Sequence, residues 1–165
     1  MDSDGYLSQL ADIFNGITVN TPSISAIIAI ALAGVLLLAS GFASASEIAF
    51  FSLTPSDRND IDEQNHPSDE KISALLGDSE RLLATILITN NFVNVTIIML
   101  CNFFFMNVFV FHSPLAEFLI LTVILTFLLL LFGEIMPKIY SAQKTLAFCR
   151  FSAPGIYFLE KVFRP

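Results

Sequence analysis

The sequence predicts an all-α integral membrane protein, with three transmembrane helices and amphipathic helices beside the membrane on the cytoplasmic side. Three observations carry that expectation. The chain of 165 residues is 55% hydrophobic and 14% charged, whereas soluble domains are about a quarter charged. Its apolar residues gather in three segments, 24–53, 82–111 and 115–140, each longer than the roughly 20 residues that span ~30 Å of hydrocarbon. All eight basic residues fall in two places: Arg58, Lys71 and Arg81 after the first segment, and Lys138, Lys144, Arg150, Lys161 and Arg164 from the end of the third. By the positive-inside rule, residues 54–81 and the C-terminus are cytoplasmic and the N-terminus lies outside.

Other classes are excluded on the same grounds. The first segment is not a signal peptide, because it is too long and follows Asp2, Asp4 and Asp12 rather than a basic region. Cys101 and Cys149 lie in or beside membrane segments, a placement that does not make a disulfide framework or a thiolate metal site. A net charge of −7 with so few basic residues argues against nucleic-acid binding.

Taken in order, residues 1–20 form an extracytoplasmic tail, where Tyr6, Leu7, Leu10, Ile13 and Phe14 have the spacing of a short interfacial helix. Residues 21–142 are the three-span domain. Its first helix is expected to start at the Thr21-Pro22 pair. Thr54-Pro55-Ser56-Asp57 opens the cytoplasmic helical segment 54–80, with Thr54 as cap, and the segment breaks near His66-Pro67. The second span is capped by Asp78 or Ser79, and Ser113-Pro114 starts the third. Residues 143–165 alternate Leu146, Phe148, Phe151, Ile156 and Phe158 with Lys144, Arg150 and Lys161. That pattern fits an interfacial amphipathic helix, kinked at Pro154-Gly155 and leading to a soluble domain absent from these residues.

Polar residues inside the spans mark the candidate site. Gly133-Glu134-Ile135-Met136-Pro137-Lys138 puts a carboxylate where hydrocarbon is expected, which costs several kcal/mol unless it is paired or coordinated. Gly133 and Pro137 both loosen the helix around it. The first span turns from aliphatic to small and polar at Ala39, placing Ser40, Ser44 and Glu47 on one face. In the second span, Asn90, Asn91 and Asn94 share a turn and are costly in an apolar helix without partners. Ser44 lies nine residues inside Leu53, and Asn90 nine inside Arg81, so each is roughly 13 Å from its helix end. Hydroxyl, amide and carboxylate oxygens thus reach one depth, an all-oxygen set suited to a hard divalent cation such as magnesium. The plain alternatives stay open. A serine among alanines, such as Ser44, more often packs than ligates, an asparagine in a span more often makes an interhelical hydrogen bond, and Glu47 reads as a cap or a partner of Arg81 or Lys138. Glu134 is a ligand, a proton carrier or a partner of Lys138. No Ser–His or paired-Asp arrangement occurs within the spans, which argues against an enzyme.

Three motifs in order, residues 42–53 (Phe-Ala-Ser-Ala-Ser-Glu-Ile-Ala-Phe-Phe-Ser-Leu), 80–94 (Glu-Arg-Leu through Thr-Asn-Asn-Phe-Val-Asn) and 133–138, resemble the membrane domain of the cyclin-M / CorB–CorC family. The resemblance implies a homodimer of three-span subunits in the bacterial inner (cytoplasmic) membrane, taking part in magnesium transport or efflux with sodium as the exchanged ion. It also implies a cytoplasm-facing Mg²⁺ site on Ser44, Asn90, Asn91, Asn94, Gly133 and Glu134, and a following CBS-type cytoplasmic domain. Thr89 stands where the family often has glycine, and Ala43 where a bulkier residue is common. The acidic tail resembles a bacterial branch associated with gliding motility, and the alternative function is a non-transporting membrane scaffold or assembly factor with the same fold.

Overall fold

Apolar length and cap residues together set where the helices run. The structure, a computed structural model, describes residues 17–162. Helix α1 is Ile24–Phe51, and its cap is Ser23, whose hydroxyl accepts from the Ala26 N–H. The start is two residues later than the Thr21-Pro22 pair predicts, because Ser23 reaches an orphan donor and Pro22 stays outside the helix. Helix α2, Pro55–Asp62, has the expected Thr54 cap, completed by Asp57, which accepts from the Thr54 N–H. Helix α3 is Asp69–Leu76, and α4 is Ser79–Val108 with Asp78 as its cap. Helix α5 covers 114–143. It is continuous but contains two π-helical stretches, Leu119–Ile124 and Leu131–Ile135. Helix α6, Thr145–Val162, runs through Pro154 as one helix.

Helices α1, α4 and 121–143 of α5 are each long and apolar enough to cross a membrane. The protein is therefore an all-α membrane domain. Helix α1 is the centre: α4 packs along it, and the last turns of α5 and the face of α6 pack on its C-terminal half.

The larger core lies at the end of the bundle that carries α2, α3 and α6. Phe50, Ile61, Ile72, Leu82, Cys149 and Ile156 meet there, drawn from five helices. Helix α6 contributes Cys149, Ser152, Ala153 and Ile156, one stripe at helical spacing, and leaves Phe151 and Phe158 exposed on its other side. Burial pushes the Cys149 thiol up to about 12, with the nearby Asp69 charge adding to the shift.

Asp69 fastens this assembly. Its side chain is fully buried, and Arg150 of α6 donates to both carboxylate oxygens, from Nε at 2.8 Å and Nη2 at 3.0 Å. The His66 N–H donates to Oδ2 at 3.0 Å. Burial by itself would raise this carboxyl, but the Arg150 and His66 hydrogen bonds hold it below its ordinary value. A second ion pair, Arg81 to Glu160 at 3.3 Å, ties the start of α4 to the end of α6.

At the opposite end, strand β1 (Ile17–Val19) pairs antiparallel with β2 (Phe109–Phe111), Thr18 opposite Val110. The apolar run of the second span continues to Phe111, yet its helix stops at Val108 because residues 109–111 are taken into this ribbon. The helix expected from Tyr6 to Phe14 in the tail lies outside the described residues.

Candidate cation site

The C-terminal half of α1 is small-sided, and that lets α5 come close. A Cβ on Gly41 would stand 3.0 Å from Pro137 Cγ, and one on Gly133 would stand 3.3 Å from both Ser40 Oγ and Leu37 Cδ1. The two glycines, one on each helix, set an approach that larger residues would forbid.

Two polar nodes lie along this contact. In the first, Ser40 Oγ is 2.8 Å from Asn90 Oδ1, 2.6 Å from Asn94 Oδ1 and 3.5 Å from the Gly133 carbonyl. Ser40, Asn90 and Gly133 are buried. Pro137 has no N–H to give the carbonyl four residues back, which is that of Gly133, and the π-helical stretch Leu131–Ile135 surrounds the same residue. Three oxygen acceptors therefore converge on a hydroxyl that has one proton. In the second node, Lys138 Nζ is 3.1 Å from Glu47 Oε2 and 3.2 Å from Glu134 Oε1. One ammonium bridges two carboxylates from two helices and leaves them one net negative charge.

Ser44 lies between the nodes, one turn after Ser40 and one before Glu47. It is fully buried, and its hydroxyl has no hydrogen-bond partner. A buried hydroxyl without a partner costs about 1–3 kcal/mol. Its place on α1, between the Ser40 node and Glu47, puts this unpaired oxygen on the same stretch of helix as both nodes. Three neighbouring hydroxyls are absorbed locally: Ser46 donates to the Phe42 carbonyl, Thr89 to that of Thr85 and Thr96 to that of Phe92.

The expected residues thus separate into groups. Asn90, Asn94 and the Gly133 carbonyl meet at Ser40; Ser44, one turn further along α1, has no partner; Glu134 is paired with Lys138 one turn on. Asn91 is exposed on α4 and turns away from the cluster. Ser40 is the residue that sequence reasoning put on the correct face but left out of the ligand set. For Glu47 and Glu134, the geometry takes the ion-pair alternative, with Lys138 as the shared partner. Among the described residues no three His, Cys, Asp or Glu side chains are grouped to hold a metal; the polar groups along the seam are hydroxyls, amides and a carbonyl, with two carboxylates on Lys138.

A bundle of three membrane-crossing helices with its polar groups gathered at one depth is a membrane protein built around an intramembrane polar site. The chain belongs to the cyclin M transmembrane family: its residues 30–165 match the model of the cyclin M transmembrane N-terminal domain. It is also similar to a UPF0053 protein of Haemophilus influenzae, 31% identical over 131 residues that make up 79% of this chain. The chain spans about 30% of the length of that relative.

Proposed function

We propose that this domain carries magnesium across the membrane, binding the ion among Ser44, Asn90, Asn94, the Gly133 carbonyl and Glu134. The observation that carries the reading is the unpartnered Ser44 hydroxyl beside three acceptors that share one Ser40 proton. A hard cation satisfies all of these oxygens at once, and magnesium takes six oxygens at about 2.1 Å. Zinc and copper favour His and Cys ligands, which the cluster does not contain. Membership of the cyclin M family supports the same class of cargo, a divalent cation.

Lys138 is the built-in competitor in this scheme. Its ammonium neutralises Glu134 while the site lacks an ion and must give up that carboxylate when one binds. A sodium ion returning through the same carboxylates is the coupling that the family resemblance favours.

The rest of the reading follows from charge and exposure. By the positive-inside rule, the basic residues around α2, α3 and α6 support a cytoplasmic position for that end and an outer one for the β-ribbon, in keeping with an inner-membrane protein. Asn91, Val95, Ile98 and Asn102 form an exposed stripe on α4. Amides are costly against lipid, which supports a homodimer that covers them. A CBS-type domain after α6 accords with the greater length of the relative. In this reading the protein is not an enzyme.

The interhelical bonds from Ser40 favour a second reading, a scaffold whose polar seam is only glue. Titrating the purified protein with Mg²⁺ while following its melting temperature separates the two. A bound ion at 100 times its Kd adds about 2.7 kcal/mol; the proposal expects the melting temperature to climb in the parent and to stay flat in Glu134→Gln and Asn90→Ala. A flat titration in the parent supports the scaffold.

A further inference from the structure

A groove on the outside of α1 is separate from the polar seam. Helix α1 forms its floor with Gly41 and Ala45, and it is walled by Phe132 and Met136 of α5 and by Phe148 and Phe151 of α6, with a volume of about 520 Å³. That falls within the roughly 300–1,000 Å³ of small-molecule sites. Its lining is almost wholly apolar, so a soluble polar ligand does not fit it.

The groove changes character at one end. Tyr140, Phe148 and Phe151 also wall a second hollow of about 240 Å³, which continues to Lys144 and Ala147. Lys144, Ala147, Phe148 and Phe151 are spaced i, i+3, i+4 and i+7, on one side of the chain entering α6. Lys144 is exposed and has no ion pair among the described residues. Its neighbour Arg150 is committed to Asp69. Tyr140, half exposed just before it, has the apolar ring and polar tip of a residue at the membrane–water boundary.

An apolar channel that opens at the boundary beside one free cation has the shape and charge of an anionic amphiphile. We infer that this groove binds an anionic phospholipid, with an acyl chain along Gly41 and Ala45 and the phosphate at Lys144. A neutral or zwitterionic lipid satisfies the channel equally but leaves Lys144 without a net negative partner. A second copy of this chain is the competing occupant, and it would exclude lipid altogether.

The chain contains no tryptophan, so single reporters can be placed at will. Leu38→Trp puts an indole in the wall of the groove, and Phe92→Trp puts one on an exposed face of α4 as a bulk-lipid control. Each variant is reconstituted with phosphatidylglycerol or phosphatidylcholine brominated on the acyl chain, and quenching is read against mole fraction. At position 38, half-maximal quenching is expected at about fivefold lower phosphatidylglycerol than phosphatidylcholine, the equivalent of the ~1 kcal/mol that one lysine contributes at an anionic surface. Position 92 shows no preference, and Lys144→Gln removes the one at position 38. Equal quenching by both lipids at position 38, the same preference at position 92, or a preference that survives Lys144→Gln overturns the proposal. Absence of quenching by either lipid at position 38 also overturns it, in favour of the second copy.

Discussion

The two halves of α1 are packed by different physics. From Ile24 to Ala39 the helix buries Ala26, Ala29 and Ala33, and Ala33 joins Val93, Ile97 and Cys101 of α4 and Leu129 of α5 in a smaller, wholly apolar core beside a hollow of about 290 Å³. Residues 119–124 of α5 rest mainly on their own helix neighbours. From Ser40 to Phe51 the same helix is clamped: Gly41 against Pro137, Ser40 among two amides and a carbonyl, Glu47 on Lys138, and Phe50 in the core of α2, α3 and α6. The third span is therefore held most closely at the end that carries the polar residues, and by a smaller apolar core above it. Position at the seam is set by close contact, whereas the aliphatic half relies on a surrounding bilayer to cover what it leaves open.

Breaking the clamp where a charge is most deeply buried has the largest expected effect. Arg150→Met leaves the Asp69 carboxylate buried and unpaired, and loss of one partner of such a pair costs about 3–5 kcal/mol. Denaturant unfolding in detergent measures it. The pH dependence has a definite sign. Because Asp69 is held below its ordinary value, its contribution is complete above the ~3.9 of an unfolded aspartate and is lost as pH falls through the lower folded value. Asp69→Asn removes that acid-side loss.

Ser40→Ala comes next. It strands Asn90, Asn94 and the Gly133 carbonyl without a donor, at a cost of about 1–3 kcal/mol, read from the same unfolding curves. The two glycines of α1 then give the sharpest internal contrast. Gly41→Ala pushes a methyl to 3.0 Å from Pro137 Cγ, whereas a Cβ on Gly34 meets nothing within 4 Å. The first is expected to cost about 1–3 kcal/mol as overpacking; the second is expected to stabilise by about 0.5–1 kcal/mol, the helix preference of alanine over glycine. If both substitutions shift stability in the same direction, the two halves do not differ as described.

Much of this was legible in the chain. Apolar length located the three spans, and Thr54 and Asp78 marked helix starts because a capping side chain acts within one turn. The depth count also worked, but its reference points were off by a turn in all. Measured from Leu53 and Arg81, Ser44 matches Asn90; measured from the actual ends, Phe51 and Ser79, Ser40 matches it, each eleven residues in. A helix end two residues early and another two residues early move the register by four, one helical turn, from Ser44 to Ser40. The π-helical stretches and the β-ribbon were not legible, since they depend on partners distant in sequence: Ser40 opposite Gly133, and Ile17 opposite Phe111. Lys138 was legible only as one of several partners, because two carboxylates on different helices share it.

Ser44 is the residue on which the ion-site reading turns. It is buried without a partner, so Ser44→Ala removes a cost rather than a bond. The direct measurement is the melting temperature of Ser44→Ala beside the parent, first without Mg²⁺ and then across a Mg²⁺ titration. The account predicts that the variant is as stable as the parent or more so without the ion, and fails to gain the parent's rise when it is added. A variant that is less stable without Mg²⁺, or that rises as the parent does, would contradict it.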